Sequence, residues 1–447
     1  MSQMLPSGRG ALAVRSSLAL VATVCALAAP AWAQVEAGGV VEVCRLPASP
    51  GGDAPGAARP DGSLGWPAAR PAQTCAASER TTRFEVEYVG FPDDARAAFQ
   101  AAVDAWACRV ATAQTVRVVA RWEPLDASTL GTAGPYLFRN FDGAPLRNTW
   151  YPGALADGFA GADLDPSEPD VLARFNSTFT AWHLDPTTAP PADGYDLYTV
   201  VLHELAHGLG LIGALAVDGD LGTVGALGRT RGPYAFDRFT EDARGTPLLD
   251  PGAYPDPSEA LARALRSAAV RFDGPAVRQA TGGPVPLYAP AAWVEGASYS
   301  HLDEATFAPT TPDGLMTPFL ARGERVSGPG DAVCGALADI GWTLAGDCAA
   351  RVGTLPDLAA GLTVERTGPN PFSRRTGLRL TSAVIGDARA TLVDAAGREI
   401  AVLLDRPVGA GGRADVEVSA GGLAAGVYFV RVVIGSDERV VPVVVVR

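Results

Sequence analysis

Residues 198–210, Tyr198-Thr-Val-Val-Leu-His203-Glu204-Leu-Ala-His207-Gly208-Leu-Gly210, are the centre from which this 447-residue chain can be read. On an α-helix, positions four apart lie one turn apart on the same face. His203 and His207 would therefore aim two imidazoles at one point, with Glu204 displaced around the helix toward it. Two neutral ring nitrogens at that separation suit a zinc ion, and the neighbouring carboxylate suits a base that takes a proton from water. The run Tyr198–Leu202 is apolar enough to bury the helix, while Gly208 and Gly210 let it stop and the chain turn. The chain has only 4 histidines, and two fall on this motif. A metal site is the better reading than polar surface.

A three-nitrogen zinc site needs one more ligand and keeps a fourth position open. His301, in Ser298-Tyr-Ser-His301-Leu-Asp303-Glu304, is the one histidine C-terminal to the helix and the obvious candidate. His183, in Ala181-Trp-His-Leu-Asp185, lies upstream and reads as a loop residue. Between helix and His301 the chain is rich in Gly and Pro, yet it holds helical and strand-like pieces such as Ser258–Arg266. Structureless loops of that length are rare, so residues 214–300 are expected to form an inserted subdomain.

Upstream, Arg83–Val89 alternates as a strand does, and Pro92-Asp93-Asp94 opens a helix. Its apolar positions Ala98, Phe99, Ala102, Val103 and Trp106 share one face, and Thr115–Trp122 follows as a second strand. Asp170–Asn176 is expected as a further strand, at an edge where extended substrate could pair. These pieces make an α+β lobe, residues 82–350, with the site at its lower edge. Residues 34–81 form a Gly/Pro-rich leader. Residues 1–33 read as an export signal: Arg9 and Arg15, an apolar run Leu18–Ala29, then Ala31-Trp32-Ala33 as a cleavage site. No later stretch has the length of a transmembrane anchor.

The formal charge is −13, and the signal carries two arginines and no acid, so the exported chain is more acidic still. Such a surface argues against nucleic acid and anionic lipid as partners, and for a soluble secreted or cell-surface protein. With Cys25 lost in the signal, Cys44, Cys75, Cys108, Cys334 and Cys348 remain. Export makes disulfides plausible. The preferred pairs are Cys334–Cys348 and Cys44–Cys75, with Cys108 as a small buried group; Cys44 or Cys75 capping the metal as a thiolate is the alternative.

Residues 355–447 hold short alternating segments: Gly377–Val384, Ala388–Val393, Arg398–Leu404, Gly426–Val433 and Arg439–Val446. Asp394-Ala-Ala-Gly397 supplies a turn between two of them. About 90 residues of short strands with regular turns predict an immunoglobulin-like β-sandwich.

Two resemblances sharpen this reading. The helix motif, a long insertion, Ser300-His301 and then Leu315-Met316-Thr317-Pro318 together resemble the leishmanolysin branch of the metzincin zinc peptidases. The shorter metzincin consensus would put its third ligand at Gly213, which cannot bind metal; the leishmanolysin type delivers a histidine after an insertion, as His301 would be. The resemblance covers roughly Arg83–Leu344. It implies zinc on His203, His207 and His301, Glu204 as general base, Gly210 as the turn, and Met316 as a hydrophobic floor. Some metzincins add a tyrosine ligand after this turn, but Thr317, Pro318 and Phe319 stand here. Asn370-Pro-Phe372, Asp394-Ala-Ala-Gly-Arg398 and Leu423-Ala-Ala-Gly-Val-Tyr428 resemble the C-terminal sorting domain of type IX secretion cargo. The expected protein is a secreted zinc endopeptidase acting on protein or peptide. The rival, a catalytically inactive zinc-containing adhesion or binding protein at the cell surface, leaves Glu204 without a purpose.

Overall fold

The computed structural model describes residues 35–40, 46–47, 75–224, 231–307, 311–353, 362–382, 386–408, 412–435 and 437–447. The signal and Cys44 lie outside them. The described chain is a mixed α/β structure of α+β type. Among its described residues no helix is long and apolar enough to cross a membrane.

Six strands build the sheet behind the site: β1 (Glu36–Val40), β2 (Leu46–Pro47), β3 (Phe84–Val89), β4 (Val116–Glu123), β5 (Thr129–Arg139) and β6 (Val171–Asn176). Their order is β1-β5-β6-β4-β3, with β2 and the short piece Tyr151–Pro152 also on β5. The β3/β4 and β4/β6 pairs are parallel and β5 runs antiparallel to β6. Helix α1 (Asp93–Ala107) connects β3 and β4, as a parallel pair requires.

One expectation about this sheet needs correction. The Asp170–Asn176 strand is internal, paired along both sides by β4 and β5, so it offers no free edge. Its alternation of buried and half-buried residues marks which face is covered, and carries no information about neighbours along the hydrogen-bonding direction. The antiparallel strand beside it is β5, which the sequence analysis did not assign and which carries Gly131, Gly134 and Pro135, residue types that are uncommon inside strands. Gly131 is required by packing: the Val200 side chain of the metal-motif helix comes within 3.1 Å of where a β-carbon would stand.

That helix, α3 (Leu197–Gly208), is buried along its whole length. Asp196 caps it, accepting from Thr199 N at 3.1 Å, and Arg325 Nε donates to the same carboxylate at 2.8 Å. Neither side chain of this ion pair is exposed, so removing one partner would strand a buried charge, at a cost of about 3–5 kcal/mol. Trp106 Nε1 of α1 donates to Leu202 O at 3.0 Å, and Trp342 Nε1 donates to Leu209 O at 2.7 Å. Indoles thus tie the helix into the core from both sides.

After α2 (Gly153–Ala160) and α3, the insertion contributes α4 (Glu259–Leu265), capped by Ser258, and α5 (Pro275–Thr281); α6 (Asp331–Ile340) and α7 (Gly346–Val352) close the unit. Phe236, Leu261, Phe272 and Val277 from the insertion join the hydrophobic cluster that contains α1, α3 and the sheet. Cys334–Cys348 ties α6 to α7 as expected. Cys75, however, pairs with Cys108 and not with Cys44. The cause is local: Thr81 N and Thr82 N donate to Ala107 O, folding the end of the leader onto the C-terminus of α1, where Cys108 is the cap.

The C-terminal strands are β7 (Leu362–Arg366), β8 (Arg375–Ser382), β9 (Gly386–Val393), β10 (Glu399–Val408), β11 (Arg413–Ser419), β12 (Gly426–Ile434) and β13 (Asp437–Val445). They form one sheet ordered β7-β8-β11 and another ordered β10-β9-β12-β13. Leu380 and Val416 from the first and Leu392, Val430 and Val443 from the second share one apolar cluster, which makes the unit a two-sheet sandwich. Phe372 is buried in that cluster, and its N–H donates to Val444 O at 2.9 Å, while Asn370 Oδ1 accepts from Val444 N at 2.6 Å. The Asp394–Arg398 turn closes through Asp394 Oδ1, which accepts from Ala396 N and Arg398 N.

Candidate metal centre

Helix α3 presents His203 and His207 on one face, and the chain returning from the insertion brings His301 to them. Their ligand atoms gather as a group of three within 4.8 Å of one another, and all three residues are buried. The Nε2 atoms are 3.0 Å apart between His203 and His207, 3.2 Å between His207 and His301, and 3.2 Å between His203 and His301.

The opposite nitrogens explain what that triangle means. His203 Nδ1 donates to Leu315 O at 2.6 Å, His207 Nδ1 to Leu211 O at 2.6 Å, and His301 Nδ1 to Ala297 O at 2.7 Å. A carbonyl only accepts, so each ring carries its proton on Nδ1 and a lone pair on Nε2. Three lone pairs facing one another cannot hydrogen-bond; a cation among them turns the repulsion into attraction. Nitrogens at roughly 2.0–2.1 Å from a tetrahedral ion would stand about 3.3 Å apart, close to the separations observed. Burial pushes the His203 imidazole down to about 4 and holds His207 and His301 well below the usual histidine range. The rings are therefore neutral, which is the metal-binding form. The residues present fit a metal ion.

Local sequence explains how the triad is assembled. Gly208 sits where a β-carbon would press on Val171 at 2.5 Å, so α3 can lie close on β6. Gly210, at φ +112°, turns the chain so that Leu211 O points back to His207. Gly213, barren as a ligand, has a packing role: a β-carbon there would collide with the Tyr299 ring, and its N–H donates to Ser300 Oγ at 3.1 Å. Tyr299 OH in turn donates to the buried Asp237 carboxylate at 2.8 Å. Backbone bonds from Tyr299 N to Tyr288 O and from Tyr288 N to His301 O then set the height of the third ring. Met316 is buried and accepts Leu302 N at 2.8 Å, and it shares a small cavity with His301 and Leu211.

Glu204 follows His203 on the helix and is fully buried. His183 stands apart, with its Nε2 3.0 Å from Thr188 O. What sequence reasoning missed are the three carbonyls of Leu211, Ala297 and Leu315. Only the first had a signal, the Gly208/Gly210 turn; main-chain acceptors otherwise leave no mark in residue identities.

No family model and no curated protein matches the chain. What the centre can do follows from its own atoms: three neutral imidazoles able to hold one cation, and a carboxylate one residue from the first of them.

Proposed function

We propose that this chain is a secreted zinc-dependent endopeptidase of leishmanolysin-like, metzincin type. The observation that carries the reading is the convergence of three Nε2 atoms, each aimed by a carbonyl on its Nδ1, beside a glutamate on the same helix. Zinc suits an all-nitrogen set, and when bound it polarises a scissile carbonyl and brings the pKa of water down toward 7. The chain's own residues supply the rest. Glu204 takes the proton of the attacking water and passes it to the departing amine. Met316 and the apolar residues around it keep the rings packed and bulk water out from beneath them.

The test is Glu204→Gln, which keeps both size and metal ligands. It is expected to retain one zinc per chain and to lose casein hydrolysis by about 10²–10⁴-fold, the usual worth of a general base. Cleavage at the parent's rate would show that Glu204 is not the base. Chelator should abolish the parent's cleavage, and an inert parent with full zinc would favour the adhesion reading.

The sandwich is proposed as a sorting module read by type IX secretion machinery, on the strength of its three motif resemblances. Removing residues 355–447 should leave the protein inside a host that carries that machinery. Unimpaired release of the truncated chain would sink the idea.

A further inference from the structure

The insertion supplies more than the third ring. Asp237, in its helical turn Phe236–Phe239, is 1 % exposed, and three donors converge on its carboxylate. Tyr234 N lies at 2.7 Å, Ala214 N at 3.0 Å and Tyr299 OH at 2.8 Å. Two of those donors belong to segments that place metal ligands. Ala214 ends the turn that leaves α3, three residues after Leu211, whose carbonyl accepts His207 Nδ1 at 2.6 Å. Tyr299 precedes His301 by two residues. One buried carboxylate thus fastens the turn that aims the second imidazole to the segment that carries the third.

Tyr299 is held at its backbone, its ring and its hydroxyl. Its φ is +77°, in the left-handed region, which a bulky residue keeps only where its surroundings over-determine it. The ring is 0 % exposed and occupies the space that Gly213 leaves: a β-carbon there would lie 2.1 Å from the ring and 2.8 Å from Asp237 Oδ1. Thr240 Oγ1 stands 2.9 Å from the hydroxyl and donates to Asp237 O at 3.0 Å. Were packing the whole purpose, an apolar side chain at 237 would serve without desolvating a carboxylate. What the carboxylate adds is direction, since each of its bonds fixes the place of one donor. A metal site needs that, because its ligands must be held within about 0.5 Å of bonding geometry.

We propose that Asp237 is a positioning residue of the metal centre, which through the Ala214 N–H and the Tyr299 hydroxyl sets the His207 and His301 rings at the spacing one cation requires. The proposal rests on the metal centre of the peptidase reading and concerns how its ligands are held, not turnover.

The test compares zinc affinity, by competition with a chelating dye, in the full-length protein and its variants. Tyr299→Phe keeps the ring against Gly213 and removes only the hydroxyl's bonds. It should weaken zinc binding about 10–100-fold, the usual effect of losing an outer partner of a ligand. Asp237→Ala should weaken it at least as much, and the double variant no more than Asp237→Ala alone, since both changes cut one path. Should Asp237→Ala fail to fold, Tyr299→Phe decides by itself. Asp339→Ala is the structural control: Asp339, on α6, is also 1 % exposed and accepts from Ala276 N at 2.8 Å and Val277 N at 2.9 Å of α5. It should lower the melting temperature of the metal-free protein and leave zinc affinity unchanged. Cobalt loaded in place of zinc gives a second readout, because the visible absorption of its tetrahedral complexes is intense and falls as the geometry departs from tetrahedral. Tyr299→Phe should weaken that absorption per bound cobalt. Parent-like zinc affinity and cobalt absorption in Tyr299→Phe, or losses no larger than those of Asp339→Ala, would overturn the proposal. A parent that takes up zinc but cleaves no casein would count against the peptidase reading alone.

Discussion

Each imidazole of the triad commits its Nδ1 proton to a main-chain carbonyl, and that commitment matters as much as the ring's position. A histidine free to choose tautomers presents a donor as often as an acceptor; one pinned by Leu315 O, Leu211 O or Ala297 O presents only a lone pair. His301→Ala should therefore cost far more zinc affinity than the roughly 10–100-fold typical of losing an outer partner. His183→Ala, whose ring bonds to Thr188 O away from the triad, should cost none. Competition against a chelating dye reads both; equal losses, or no loss at His301, would remove that residue from the metal site. His203 and His207 were legible as a pair because helix periodicity alone puts them on one face. His301 was legible only by elimination among 4 histidines. Its height and aim depend on Gly213 yielding to Tyr299, a contact between residues 86 positions apart that no local pattern encodes.

At the scale of elements, α3 is held by its packing more than by helix propensity: an ion pair at its cap, indoles on two of its carbonyls, and glycines that let strands approach. Most of the helices and strands around it were legible, because α1, β3, β4 and β6 keep the periodicities of 3.6 and 2. β5 was not, since its glycines and proline look like a loop until one sees Val200 and Phe175 filling the room that Gly131 leaves. Between α2 and β6 lies a pair of acids with a testable consequence. Burial pushes Asp157 up to about 7 and Asp170 up to about 6, and the two carboxyls hydrogen-bond to each other. The folded state therefore binds more protons than the unfolded chain between about pH 4 and 7, so this pair stabilises the fold at low pH and loses that contribution as pH rises. Asp157→Asn, which still accepts from Leu164 N and can donate to Asp170, should raise stability at pH 8 by on the order of 1–2 kcal/mol while changing little at pH 5. Melting curves at the two pH values decide it: an equal shift at both would mean that proton uptake is not the cause.

Across the whole molecule, two separate apolar clusters stand out, one behind the metal centre and one inside the C-terminal sandwich. Metal bound to the first should stabilise that unit by mass action, about 4 kcal/mol at a thousandfold excess over Kd. Chelation should accordingly lower one thermal transition by several degrees and leave the sandwich's transition where it was. Calorimetry with and without chelator would show this, and a single transition that shifts as a whole would mean the two cores unfold together. Cys75–Cys108 acts at the same scale, since it clamps the end of the leader to the unit that bears the metal centre. Reading the leader as an isolated staple between Cys44 and Cys75 missed this, because Cys44 and Cys108 lie almost equally far from Cys75 in sequence and the fold of residues 81–82 onto α1 was invisible.

By itself the sequence determined the chemistry on offer: a helix with two imidazoles and a carboxylate, a third histidine beyond an insertion, and a strand-rich tail with its turns. Those follow from local periodicity and from residue identity, which neighbours in the chain already express. Tertiary structure alone decided that Leu315 O aims the His203 ring, that Cys75 meets Cys108, and which strand edge the leader covers. Each of these is a contact between segments far apart in sequence, and which of them meet is chosen by close packing around small residues and by hydrogen bonds of the main chain, which is the same at nearly every residue.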